Sequence, residues 1–233
     1  MLPFWLSIAL LSLVQGGVVA VPGAPGAPKL ARLRGRRWAL IPPVSVVAFV
    51  VITSAAEHAS AQGLTYLALV AVPLLAALFL GWPAGDRAKA GPRAARALLV
   101  VPLFLLAWVD RGALAGQAAA LVLTALSCVT LGMLLAAVTP PRWLAAGIIA
   151  MAIADTALVV SDLLQRPNNA LNAAHPAAGL PRLQSAALGS AVMGYGDLFI
   201  AAARGPSRRG SGRIQPRPPA GARRRLPLGP RSE

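Results

Sequence analysis

Long apolar runs, separated by short basic segments, constrain this chain more than any other feature. Of its 233 residues, 57% are hydrophobic and 12% are charged, and the mean hydropathy is +0.66. A soluble domain of this length does not have enough charged residues to cover that much apolar surface. The sequence therefore predicts a polytopic membrane protein built from transmembrane helices, and a water-soluble class is excluded.

A helix needs about 20 apolar residues to cross the roughly 30 Å of hydrocarbon in a bilayer. We therefore expect an all-α bundle of about seven spans. The predicted spans lie near residues 2–22, 38–56, 64–82, 94–109, 113–138, 143–163 and 183–203. The apolar run of the fourth is short, so a re-entrant segment is the alternative to a tight helical hairpin. The first span has no basic segment before it, which favours a retained span over a cleaved signal peptide.

The segment after the last span, 204–233, is rich in Arg, Pro and Gly and has few apolar residues. Such a composition cannot bury a core, so we expect a disordered tail that is attracted to anionic lipid. An out-of-frame end to a longer protein is an alternative hypothesis for this segment, because the composition changes abruptly.

The positions of the basic residues indicate how the chain is oriented in a membrane. The net charge is +15, but Lys and Arg cluster at 23–37, at 83–93 and in the tail, between or after the apolar runs. This placement argues against nucleic-acid binding, and the positive-inside rule puts the N-terminus outside and the tail in the cytoplasm. We expect a multi-pass protein of a bacterial plasma membrane. If the fourth span does not cross, everything after it has the opposite orientation.

Few side chains of this sequence suit a metal or a disulfide. Cys128 is the single cysteine and lies in an apolar run, so we expect a small packing residue. His58 and His175 have no companion ligands nearby, and the sequence predicts neither a metal site nor a cofactor. The hydroxyl residues of the fifth span are expected to bond their own helix or a neighbouring one; they are Thr124, Ser127 and Thr130.

Two aspartates lie within the last two predicted spans, Asp155 in the sixth and Asp197 in the seventh. An ionisable side chain in a membrane span costs about 2.5–3.5 kcal/mol on insertion scales, so it indicates function by default. Counted along the helices from Arg142 and Arg204, the two carboxyl groups reach similar depths. Two carboxyl groups in a poorly solvated site share one proton, because both cannot ionise cheaply. We therefore predict an acid pair.

The second aspartate ends the tetrad Gly194-Tyr195-Gly196-Asp197. The predicted seventh span contains Gly189, Gly194 and Gly196. Glycine lets another backbone approach closely, and each one weakens a helix by about 1 kcal/mol relative to alanine. A protease that acts on a helical substrate needs room for an extended segment beside its catalytic carboxyl group. The glycines of the tetrad are typical of such a site.

This tetrad and the apolar residues 198–200 after it resemble the GxGD motif of presenilin and signal-peptide-peptidase type intramembrane aspartyl proteases. The resemblance implies that Asp155 and Asp197 are a catalytic dyad that cleaves transmembrane peptide substrates. An outside N-terminus is similar to the signal-peptide-peptidase orientation. The chain departs from the family at Ala154, where a tyrosine is usual, and no Pro-Ala-Leu tripeptide follows the tetrad. The family also usually has more spans.

Two other functions stay open. A proton-coupled transporter can use intramembrane acids as a relay, although such carriers usually show an internal repeat, and none is evident here. The missing Pro-Ala-Leu element favours a non-catalytic membrane scaffold. Membrane lipid and a transmembrane peptide are the expected partners, nucleic acid is not, and the oligomeric state is left open.

Overall fold

The computed structural model describes residues 3–20, 32–55, 57–81, 93–161, 180, 181, 183 and 185–210. Within these ranges the chain is mostly helical, with one two-stranded sheet, and the predicted helical class is confirmed in this coarse form. The elements are α1 (Phe4–Ala20), a 3-10 turn (Arg36–Leu40), α2 (Ile41–Ala55), α3 (Glu57–Gly81), α4 (Arg93–Leu98), α5 (Val100–Val109), α6 (Leu114–Val138), α7 (Pro141–Val160), β1 (Ser185–Leu188), β2 (Ala191–Gly194) and α8 (Tyr195–Gly210).

Three helical segments of the described chain are long and apolar enough to cross a membrane. They are Gln62–Gly81 within α3, the whole of α6 and the whole of α7, whereas the apolar stretches Phe4–Ala20 and Ala95–Val109 are shorter. Large apolar side chains are exposed along α3 and α7, among them Leu67, Val70, Leu74, Ile149, Ile153 and Val160. A helix that is apolar on its outer side as well as its inner side suits an apolar surrounding.

Helix α6 is the centre of the bundle. It packs against α1, α3, α5, α8 and β1. Its apolar window is 56% buried, compared with 17% in each of the other two membrane-length segments. Leu121, Leu123, Val129 and Met133 fill this core. Helix α6 contains no charged residue, so none of its side chains has to reach solvent.

Glycines set the packing distance where two helical elements meet. A Cβ on Gly132 of α6 would lie 2.7 Å from the carbonyl carbon of Ala202 and 2.8 Å from the amide nitrogen of Ala203, both in α8. A Cβ on Gly147 of α7 would lie 2.5 Å from the carbonyl oxygen of Ala39 in the 3-10 turn. Because any side chain would collide with backbone at these points, glycine permits the close approach.

The fourth predicted span, 94–109, is helical but interrupted at Leu99. Pro102 has no N–H to donate to the carbonyl of Leu98, and its ring crowds that carbonyl, so the regular helix breaks one turn earlier. The amide of Leu99 donates instead to the carbonyl of Arg96 at 3.1 Å, which tightens the turn between α4 and α5.

A tight turn joins α5 to α6. The amide of Ala113 donates to the carbonyl of Asp110 at 2.9 Å, and Gly116 in the first turn of α6 faces that same carbonyl. The two helices then pack against each other. The predicted helical hairpin is therefore present, and its crossing of a membrane stays a prediction.

The seventh predicted span, 183–203, is wrong as a continuous helix. Its first half is the antiparallel hairpin β1–β2, and α8 begins at Tyr195. Leu188 pairs with Ala191, which leaves a two-residue turn in which Gly189 has φ of 62°. Glycine adopts positive φ without strain, and turns of this kind match the twist of hairpin strands. Gly189, which we expected to weaken a helix, forms a turn instead.

The hairpin is fixed to the central helix by packing and by one hydrogen bond. Ala186 and Leu188 of β1 are buried, and β1 packs against α6. The amide of Gly189 donates to Oε1 of Gln117 at 2.7 Å. Beyond the hairpin, α8 continues past the predicted end of the span to Gly210, and the remainder of the predicted tail lies outside the described residues.

Candidate functional site

The Gly194–Asp197 tetrad lies at the junction of β2 and α8. Gly194 ends the strand, Tyr195 begins the helix, and Asp197 lies in its first turn. A carboxylate in the first turn interacts favourably with the free N–H groups and the helix dipole, by about 0.3–1 kcal/mol. Oδ2 of Asp197 lies 3.5 Å from the point that a Cβ on Gly194 would occupy, so the side chain folds back toward the strand.

Tyr195 fastens the start of α8 to the central helix. Its phenol oxygen lies 2.9 Å from Oγ of Ser127, and that hydroxyl donates to the carbonyl of Thr124 at 2.8 Å. Because Ser127 has one proton to donate, the phenol is the donor in the first of these bonds. The thiol of Cys128 lies 3.8 Å from the backbone oxygen of Tyr195, at donor distance for sulfur. The side chain of Tyr195 therefore fixes the position from which Asp197 projects.

The other buried hydroxyls of α6 also join it to its neighbours. Oγ1 of Thr124 donates to the carbonyl of Leu183 at 3.3 Å. Oγ1 of Thr130 lies 2.8 Å from the carbonyl of Leu75 in α3 and 2.9 Å from that of Leu126 in its own helix. Bonding within the helix and to neighbouring elements was the expectation from the sequence, and these contacts confirm it.

Asp155 lies in the second half of α7, and both its side chain and that of Asp197 are exposed. Helices α7 and α8 are neighbours, and a Cβ on Gly196 would lie 3.9 Å from Cε of Met151. Asp155 follows Met151 by one helical turn, so both carboxyl-bearing positions flank the same helix contact. Among the described residues no hydrogen bond joins the two carboxyl groups, and the dyad stays a prediction.

The glycines of the tetrad differ from those that determine packing. The nearest atoms to a Cβ on Gly194 or Gly196 are side-chain atoms at 3.5 and 3.9 Å, which is ordinary contact distance. Close approach of another backbone, the predicted reason for glycine in this region, occurs at Gly132 instead. Neither glycine of the tetrad is therefore required by the packing of the described chain.

An open groove of about 440 Å³ lies beside Asp197, between α1 and α8. Its lining residues are Ser12, Gln15, Gly16, Val19, Asp197, Ile200 and Ala201. Sequence reasoning missed the contribution of α1. The available signal was a pair of polar residues, Ser12 and Gln15, three positions apart on one face of an otherwise apolar helix.

Comparison of the chain with sequence models of protein families, with curated proteins and with solved structures finds no match.

Proposed function

We propose that this chain is a multi-pass membrane protein in which Asp155 and Asp197 form the acid pair of an intramembrane aspartyl protease-like site. One observation carries the proposal. The helices that bear the two aspartates are neighbours at Met151 and Gly196. Gly196 is adjacent to Asp197, and Met151 lies one helical turn before Asp155.

Membrane insertion is supported by the distribution of apolar and charged residues. Three membrane-length helices expose apolar side chains on their outer surfaces. Basic residues of the described chain, such as Arg36, Arg96 and Arg142, lie at or near helix ends rather than in the middle of the apolar segments. Within the three membrane-length segments, Asp155 is the one acidic residue, which makes it the costliest side chain to insert.

The chemistry follows from two carboxyl groups that share a proton. The ionised carboxylate takes a proton from a water molecule, and the water oxygen attacks the carbonyl carbon of a peptide bond. The other, protonated carboxyl group gives its proton to the carbonyl oxygen. Collapse of the tetrahedral intermediate breaks the C–N bond, and the amine leaves with a proton returned from the pair. Water access is necessary for this reaction, and the open groove beside Asp197 supports such access.

The test uses the purified protein in lipid nanodiscs with fluorogenic transmembrane peptides. Asp155→Asn and Asp197→Asn should each abolish cleavage while the protein still accumulates and purifies normally. Asp110→Asn, in the turn between α5 and α6, is the matched control and should cleave at the rate of the unchanged chain. Covalent capture by a photoreactive hydroxyl-containing transition-state analogue should likewise require both aspartates.

The outcomes separate the remaining functions. Equal cleavage by Asp197→Asn would remove the proposal, whatever the fate of Asp155→Asn. Proton-linked solute movement that depends on the same aspartates, without cleavage, would instead identify a transporter. If cleavage, capture and transport are all absent, the non-catalytic membrane scaffold is the remaining function.

A further inference from the structure

Within the part of the chain that the structure describes, no basic side chain neutralises the carboxyl group of Asp197 in the groove between α1 and α8. Of the residues that line it, Asp197 is the one with an ionisable side chain. Within the described chain the Asp197 carboxyl group takes part in no ion pair or hydrogen bond, although the net charge of the whole chain is +15. The groove is thus an exposed anionic point on a strongly basic protein.

We infer that this groove binds a small organic cation, a primary ammonium with an apolar tail. Three of the residues that line it carry oxygen acceptors in their side chains: Asp197, Gln15 and Ser12. A primary ammonium has three N–H donors and no acceptor, so its hydrogen-bonding capacity matches this set. A hydrogen bond to a charged group contributes more than a neutral one, which makes Asp197 the principal contact.

The remaining walls of the groove suit the tail of such a ligand. Val19, Ile200 and Ala201 are apolar, and Gly16 adds no side chain that would obstruct the opening. The groove volume of about 440 Å³ is within the range of about 300–1,000 Å³ that is typical of small-molecule sites. Apolar walls around a few polar groups are the usual composition of such sites.

The inference goes beyond the proposed protease chemistry and does not rest on it. Binding needs Asp197 and the two polar residues of α1, whereas the acid pair needs Asp155. If the chain binds the cation but does not cleave peptides, the cation site is supported and the proposed protease function is wrong. If the chain cleaves peptides but does not bind the cation, the protease function is supported and the cation site is wrong.

The probe is dansylcadaverine, a fluorescent primary amine, with its N-acetyl derivative as the neutral match. Fluorescence anisotropy is measured on the full chain in phosphatidylcholine nanodiscs, and empty nanodiscs correct for partitioning into lipid. We expect saturable binding of the amine and at least about tenfold weaker binding of the acetylated form, the difference expected when a charge-assisted hydrogen bond is lost. Equal binding of the two probes would overturn the inference.

Variants locate the site. Asp197→Asn should weaken binding of the amine about tenfold, and Gln15→Leu about threefold, because a neutral hydrogen bond contributes less. Leu13→Ala changes a residue of α1 that is 70% exposed and outside the groove, so binding should be unchanged. Asp155→Asn should still show saturable binding of the amine while losing peptide cleavage.

A competition measurement on the unchanged chain tests the same inference without relying on correctly folded variants. Octylammonium should displace dansylcadaverine, whereas octanol at the same concentration should not. Displacement by both compounds alike, or an affinity that Asp197→Asn leaves unaltered, would show that the groove does not recognise the positive charge.

Discussion

The phenol of Tyr195 donates a hydrogen bond to Oγ of Ser127 across 2.9 Å, and this bond joins the first residue of α8 to the middle of α6. The hydroxyl of Ser127 in turn donates a hydrogen bond to the carbonyl of Thr124, so the two hydroxyl groups form a directed chain of hydrogen bonds. The bond lies two residues before Asp197. It therefore links the packing of the core to the position of the candidate acid.

Removal of that bond should reduce stability measurably. Tyr195→Phe keeps the ring and deletes the donor, and Ser127 keeps its bond to Thr124, so we expect a loss of about 0.5–1.5 kcal/mol in the free energy of unfolding. Denaturant unfolding in detergent micelles measures it. Tyr66→Phe is the matched control, because Tyr66 is 53% exposed on α3. A double-mutant cycle with Ser127→Ala should show coupling, and strictly additive losses would contradict the bond.

Packing between α6 and α8 should fail when Gly132 gains a methyl group. The added Cβ would lie within 2.7 Å of the Ala202 carbonyl carbon, so the helices must separate, at a cost of about 1–3 kcal/mol. Gly63→Ala in α3 provides the comparison, since nothing lies within 4 Å of that position. It should be neutral or stabilising by about 0.5–1 kcal/mol. Equal effects of the two substitutions would rule out the close approach.

The β1–β2 turn should be intolerant of a side chain at Gly189. Its φ of 62° is costly for an L-residue, so Gly189→Ala should destabilise the protein by about 1–2 kcal/mol. Gly112→Ala, in the turn before α6, has nothing within 4 Å and should be tolerated. Thermal unfolding of both variants in detergent tests this difference. A neutral Gly189→Ala would favour the helix that we expected from the sequence.

Water access to Asp155 can be measured by cysteine labelling. In a Cys128→Ala background, Asp155→Cys and Asp197→Cys should react with a charged, water-soluble maleimide, because the proposed chemistry requires water at both positions. Ile153→Cys lies on the same helix at a site that is 65% exposed and should react only with a lipid-soluble maleimide. If position 155, like position 153, fails to react with the charged maleimide, the Asp155 carboxyl group lies against acyl chains and the pair is excluded.

Hydropathy was sufficient for the regular parts of the fold. The runs at 113–138 and 143–163 correspond closely to α6 and α7, because length and uniform apolarity specify a membrane-length helix. The bonding of Thr130 to a neighbouring helix also followed from a general rule, since a buried hydroxyl needs a partner. These predictions depend on the local sequence.

The candidate site was harder to predict, because it depends on contacts between distant parts of the chain. Residues 185–194 contain no charged residue, and only the Gly189-Ser190 dipeptide indicated a hairpin turn. The pairing of α1 with α8, which places Gln15 beside Asp197, leaves no local signal in a single sequence. Polar residues within an apolar helix predict that a site is present, but they do not indicate which other element of the fold lies opposite it.

The cross-helix bonds of α6 have a consequence for the order of assembly. Two of its hydroxyl groups, on Thr124 and Ser127, find partners at Leu183 and Tyr195, which leave the ribosome only after α6 and α7. In the nascent chain, α6 therefore forms before those partners exist, and these hydroxyl groups have only the turns of their own helix to bond. Closure of the hairpin and docking of α8 come last, and they join the separate helices into one cooperative unit.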